Sequence, residues 1–160
     1  MEMKQKVYIE TTIPSYLAGR PSRDLVIAGN QELTREWWDG RREVFDLYVS
    51  QFVLDEAKDG DAEAARRRLD ILDGLAELAI NEEAVHLAEK LVFEGIVPPK
   101  AATDAAHIAV AAVNEMDYLL TWNCRHIANA EIMKRIYSLC EGEGYNCPVI
   151  CTPAELMGGD

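Results

Sequence analysis

The stretch Lys6-Val7-Tyr8-Ile9-Glu10, followed at once by Thr11-Thr12-Ile13-Pro14, decides the fold class. Its β-branched and aromatic residues run without polar alternation, as a strand buried on both faces requires. Thr12 is suited to cap a helix, and Pro14 fits a first helical turn, where a missing N–H costs nothing. A buried strand that turns directly into a helix opens a βα unit.

Working outward, the same alternation recurs. Helical composition over 24–40 leads to a strand over 44–50, where Ser50 is placed to cap the next helix, which carries Asp55 and Glu56 and stops at Gly60. A helix over 61–73 precedes a short strand over 77–80, and a helix over 82–94 is closed by Gly95. Pro98-Pro99 breaks the chain before an alanine-rich helix over 101–115, whose start holds Thr103 and Asp104. Strands over 117–121 and 148–151 flank a helix that Asn129 begins and that runs to about residue 143. Short unalternating strands separated by helices predict an α/β fold of three layers, α/β/α, with a central parallel sheet of four or five strands. The chain shows no repeat, low-complexity segment or linker, so residues 1–160 read as one domain.

With 49% apolar and 28% charged residues the composition is that of a globular chain rather than a disordered one. The longest uncharged run, residues 144–154, is interrupted by Pro148 and is far shorter than the ~20 apolar residues of a membrane span. No secretory signal is read at the start, and the four cysteines, all in the last third and without a C-x-x-C pair, fit reduced thiols in a cytoplasm. A soft metal site from Cys140, Cys147 and Cys151 is a weaker alternative. The net charge of −12 is concentrated between residues 55 and 94. That argues against a non-specific polyanion coat but leaves room for an enzyme that meets phosphate through bound cations.

In an open parallel sheet, ligands collect outside the carboxyl ends of the strands. Glu10 ends the first strand, Glu56 lies in the helix after the second, Asp104 near the start of the alanine-rich helix, and Asn123 two residues beyond the strand ending at Thr121. These four can converge on one rim, whereas Asp117 begins its strand and belongs to the opposite rim. Three carboxylates and an amide oxygen in one cleft repel each other unless a cation joins them, and hard oxygen ligands suit Mg2+ or Mn2+. Such an ion can orient water for attack on a phosphodiester. Each residue also has a simpler reading. Glu10 could cap a neighbouring helix or pair with an arginine, Asp104 could answer the helix dipole, Asp55 competes with Glu56, and Asn123 could be a turn residue. His107, in an Ala/Ile/Val stretch, reads as a buried hydrogen-bonded core residue and is left out of the site. Arg125 and His126 could meet phosphate or be an exposed loop pair. Arginines 20, 23, 35, 41 and 42 are candidates for steering phosphate, and Trp37-Trp38 reads as a partner surface or as core.

Four segments together, Tyr8-Ile9-Glu10-Thr11-Thr12, residues 50–56, Thr103-Asp104-Ala105-Ala106-His107-Ile108-Ala109 and Asp117-Tyr118-Leu119-Leu120-Thr121-Trp122-Asn123 with His126, resemble the PIN-domain family, in particular VapC-like toxins of type II toxin–antitoxin pairs. The resemblance covers nearly the whole chain. It implies a divalent-metal-dependent endoribonuclease in which Glu10, Glu56 and Asp104 match acidic positions and Asn123 a position where the family commonly has Asp. Thr11 and Thr121 match hydroxyl positions that support the site or touch phosphate, and Arg125 joins them as a substrate-binding candidate. It further implies an RNA substrate, an antitoxin partner and a homodimer. Two departures bear on activity: Glu10 adds a methylene to the usual Asp, and Asn123 removes one negative charge, which weakens a second metal. A catalytically weak or inactive PIN-fold module that binds RNA or protein is the alternative.

Overall fold

The computed structural model describes residues 3–159. Five strands, β1 (Lys6–Ile9), β2 (Asp46–Val49), β3 (Ala76–Glu77), β4 (Tyr118–Leu120) and β5 (Val149–Cys151), form one all-parallel sheet in the order β3-β2-β1-β4-β5. Around it lie α1 (Thr12–Ala18), α2 (Leu25–Arg41), α3 (Gln51–Ala57), α4 (Ala62–Leu72), α5 (Glu82–Phe93), α6 (Ala102–Val113) and α7 (Ala130–Gly142). The expected three-layer α/β fold is present, with five strands.

The strand order explains where a site can form. From β1 the chain winds to β2 and β3 on one side, then crosses to β4 and β5 on the other, so the connections leaving β1 and β4 part in opposite directions. That switch point leaves a crevice at the carboxyl ends of those two strands. Glu10 and Thr121 are the residues that follow β1 and β4, and the ladder puts them at its mouth, with Ile9 beside Leu120 and the Glu10 N–H on the Leu120 carbonyl at 3.1 Å.

The core runs on both faces of the central strands: Val7, Tyr8, Ile9, Leu119 and Leu120 are fully buried, as are Ile108, Ala109 and Ala111 of α6. Alanines on α6 let it lie close against its neighbours, and it packs most extensively on α5. Helix starts follow from the sequence: Asp24, Asp61, Asn81 and Asn129 each accept a backbone N–H from the first turn they precede. Gly95 ends α5 at φ +72°, which gives the Gly95 N–H to Val92 O and the Ile96 N–H to Leu91 O, the paired closure that favours glycine. Among the described residues no helix is long and apolar enough to cross a membrane.

Several local expectations are corrected. β2 begins at Asp46 rather than 44, because Arg42–Val44 forms a 3-10 turn. β3 is Ala76–Glu77, not 77–80: its last rung is the Leu78 N–H on Val49 O, after which the chain leaves the sheet edge for the Asn81 cap. Thr12 is the first residue of α1 rather than its cap; Ser50 does occupy the cap position of α3, but its hydroxyl goes to Tyr8 instead of a first-turn N–H. Trp37 and Trp38 are both buried, with Trp37 stacked on Phe45 and its indole N–H on Leu156 O, so they form core and not a partner surface. Of the arginines proposed for phosphate, Arg41 and Arg42 lie over the Phe45 and Trp38 rings and Arg35 pairs with Glu32.

Leu119 is fully buried in β4, next to β1. Leu119→Ala is expected to lower unfolding free energy by about 2–5 kcal/mol in urea titration, the usual cost of a cavity at a site that cannot collapse.

Candidate functional site

Glu10 leaves the end of β1 only 3% exposed, and a buried carboxylate must find donors or a cation. Its Oε1 accepts three hydrogen bonds: from Thr12 N–H at 3.1 Å, Thr12 Oγ1 at 2.5 Å and Thr121 Oγ1 at 2.6 Å. The first of these caps α1, so the capping role foreseen for Glu10 is fulfilled alongside any other. All three donors hold one oxygen, and among the described residues no hydrogen bond reaches Oε2 and no arginine or lysine pairs with the group.

Glu56 comes from α3 on the other side of the crevice. Its Oε1 accepts from Thr11 Oγ1 at 2.7 Å and meets His107 Nε2 at 2.5 Å. Asp55, its rival in the sequence, is exposed and takes a bond from the Gln51 side chain instead. Behind His107 the chain of contacts continues into the sheet: Nδ1 meets Tyr8 Oη at 2.6 Å, and Tyr8 Oη meets Ser50 Oγ at 2.7 Å. One role is fixed by the end of this chain. A carboxylate accepts, so His107 donates from Nε2. Burial raises the Tyr8 phenol well above its ordinary range, so Tyr8 keeps its proton, and the protonation of the His107 ring sets which of the two donates across the Nδ1–Oη contact. Burial alone would raise Glu56, but the hydrogen bond and charge of His107 and the Thr11 hydroxyl outweigh it and hold the carboxyl below its ordinary 4.5.

Ligand atoms of Glu10, Glu56 and His107 lie within 4.8 Å of one another, a grouping that could hold a metal ion. The donor set fits one. Two carboxylates stand close together with no arginine or lysine pairing with either among the described residues, and each has an oxygen that none of the hydrogen bonds above uses. His107, with no exposure and both nitrogens engaged, orients Glu56 from behind.

His107 is thus the member of this grouping that lies outside the residues expected at the site. It is a buried, hydrogen-bonded histidine as expected, yet it is also the group that aims Glu56. The available signal was its position three residues after Asp104, on nearly the same helix face. Asp104 itself sits half-buried in the first turn of α6, one turn before His107 and outside the three-residue grouping. Asn123 is half-buried, and its Oδ1 accepts the N–H groups of Arg125 and His126 at 3.3 and 3.0 Å, which is the turn role weighed against a ligand role. Thr11 and Thr121 use their hydroxyls on the two acids. Arg125 is exposed beside the crevice-forming loop. Asp117 accepts the Lys6 N–H at the amino end of the sheet, on the rim it was assigned to. Cys140, Cys147 and Cys151 do not form a metal-spaced trio among the described residues, and burial pushes the Cys151 thiol up to about 12.

No protein-family model and no curated protein matches the chain. Among solved structures it is similar to VapBC2 from Rickettsia felis, crystallised with a DNA fragment from the promoter, with a TM-score of 0.52 and 16% identity over 92% of this chain and 98% of that one. At that identity the likeness is one of fold, and the fold is PIN-like.

The depressed Glu56 carboxyl has a signed consequence. Its contribution to stability is complete above its unfolded value and fades as pH falls through the lower folded value. The stability difference between the wild type and Glu56→Gln, measured by urea unfolding in chelator, should be flat above about pH 5.5 and shrink progressively toward pH 3. A difference that grows on acidification would contradict the His107–Glu56 arrangement.

Proposed function

We propose that the protein is a divalent-metal-dependent endoribonuclease, the toxin partner of a type II toxin–antitoxin pair. The observation that carries this reading is the pair of acids at the switch-point crevice, Glu10 and Glu56, each tethered through one oxygen and without an arginine or lysine beside it. Glu10 and Glu56 would hold the ion, with Asp104 as a further oxygen ligand, directly or through water, and Asn123 joining them only if its oxygen leaves the turn it braces. Mg2+ or Mn2+ fits oxygen donors of this kind. When bound, such an ion supplies charge neutralisation at the phosphodiester and a more acidic water.

The chain's own residues set the stage for that chemistry. Thr12 and Thr121 fix the Glu10 carboxylate, and Thr11 and His107 fix Glu56, so neither acid needs to reorganise when substrate arrives. His107 keeps Glu56 ionised near neutral pH, where an ion or a water proton can be met by full negative charge. Asn123 braces the turn that carries Arg125 and His126, and on this reading those two side chains would meet the phosphate backbone.

The likeness of fold to VapBC2 supports an antitoxin partner, and an acidic crevice suits a basic side chain from that partner. A homodimer is part of the same proposal and rests on the family resemblance alone. The second reading, a PIN-fold module that binds without cutting, is favoured by one observation: the Asn123 oxygen is spent on its own turn, which leaves one fewer ligand for a second ion.

Purified protein free of partner should cut single-stranded RNA with Mg2+ or Mn2+ and lose that activity with chelator, in Glu10→Gln and in Asp104→Asn. Cleavage that survives both chelator and Asp104→Asn would overturn the nuclease. Without substrate, Mn2+ at about ten times its Kd should stabilise the wild type by about 1.4 kcal/mol and leave Glu10→Gln unmoved. A wild type indifferent to millimolar Mg2+ and Mn2+ by calorimetry favours the binding module.

A further inference from the structure

Beside the acids stands a pair of aromatic residues that nothing in the nuclease reading uses. Trp122 follows Thr121 directly, and its backbone N–H donates to Thr12 Oγ1 at 2.8 Å, the same hydroxyl that donates to Glu10. Its indole Nε1–H donates to Thr34 Oγ1 at 2.8 Å, and the Thr34 hydroxyl is in turn held by the Asn30 carbonyl. The indole is thus fixed at both ends and packs against the core. Tyr16 stacks upon it with ring centroids 5.9 Å apart and planes 11° apart, and Tyr16 lies outside the core cluster with its ring partly exposed. It sits one helical turn after Thr12 on α1, on the same face. Burial is the main reason its phenol is raised, and the charges that add to it include Glu10, which places the ring within reach of the acid's field.

Trp122 is itself only partly buried, so the anchored indole and the half-buried Tyr16 ring stacked on it form an aromatic step that stays partly open to solvent. Flat, partly exposed aromatic rings beside a phosphate site are how single-stranded nucleic acids are gripped, because every base offers a face and no sequence readout is needed. From this geometry we infer that Tyr16 is a base-stacking residue, with Trp122 as its pedestal, and that it takes a nucleobase next to the phosphate held over Glu10 and Glu56. The inference rests on the ribonuclease reading for the identity of the strand and deepens it: the substrate class is unpaired RNA, since a base within a duplex has no free face. An acidic chain has little general attraction for RNA, so a stacking contact would carry a large share of binding.

The test compares wild type, Tyr16→Phe and Tyr16→Leu for binding a labelled single-stranded oligoribonucleotide in Ca2+, by anisotropy, and for cleaving it in Mg2+. A second oligonucleotide keeps the ribose-phosphate backbone but lacks its bases. Tyr16→Leu should weaken binding of the base-bearing strand by about fivefold to a hundredfold, Tyr16→Phe by no more than about twofold, and all three proteins should bind the abasic strand alike. Thermal unfolding of the three should coincide to within a few degrees. Equal affinity of wild type and Tyr16→Leu, an equal loss on the abasic strand, or no wild-type binding at about 100 μM protein, the weak end of non-specific affinity, overturns the stacking role. The two readings fail separately. Tyr16-dependent binding without any cleavage would sink the nuclease and leave the stack, whereas cleavage by Tyr16→Leu at wild-type KM would do the reverse.

Discussion

A carboxylate taken out of water must be answered, and the answer given to Glu10 organises the rest of the molecule. Three donors meet one of its oxygens, and they come from two chain segments, the start of α1 and the end of β4. The bond from Thr121 can form only if β1 and β4 are neighbours in register, so the buried charge and the parallel ladder specify each other. An unpaired carboxylate at this depth would cost several kcal/mol, which makes mispairing of these central strands expensive.

The second acid is held by a different principle. Glu56 stands on a short helix, and its orientation is imposed from behind by a line of polar groups, Ser50, Tyr8 and His107, that passes through the sheet interior. Polar groups so deeply placed are tolerable because each has its partner, and a fully paired network of this sort confers rigidity. One acid is thus fixed by backbone and hydroxyls at its own strand end, the other by a relay anchored in the core. Together they give a crevice with defined shape before any ligand enters it.

Much of this was legible in the sequence because it is local. Strand and helix order follow from apolar runs and caps, and the rule that ligands gather at strand carboxyl ends selects Glu10 and Glu56 along with Asp104 and Asn123, which fall outside the close grouping, and rejects Asp117. What escaped was set by tertiary approach. His107 looks like any core histidine until α6 is laid against α3 and β1, and the hydroxyl of Ser50 looks like a cap until Tyr8 arrives beside it. Trp37 and Trp38 are adjacent on α2 and would face different directions on an isolated helix, yet both are covered, one by Phe45 and the chain near Leu156 and the other by Arg42. The shortness of β3 reflects an edge position, where the helix that follows, rather than strand propensity, decides when the chain departs.

The Tyr8 phenol joins β1, the start of α3 and α6 at a single oxygen atom. Evolutionary tuning of this site therefore has a concealed handle. A change at position 8 or 50 would leave the crevice wall chemically intact while rotating or loosening the acid in front of it. Variation in the geometry of this crevice between otherwise similar chains is then to be sought beneath the sheet surface as much as among the side chains that line the opening.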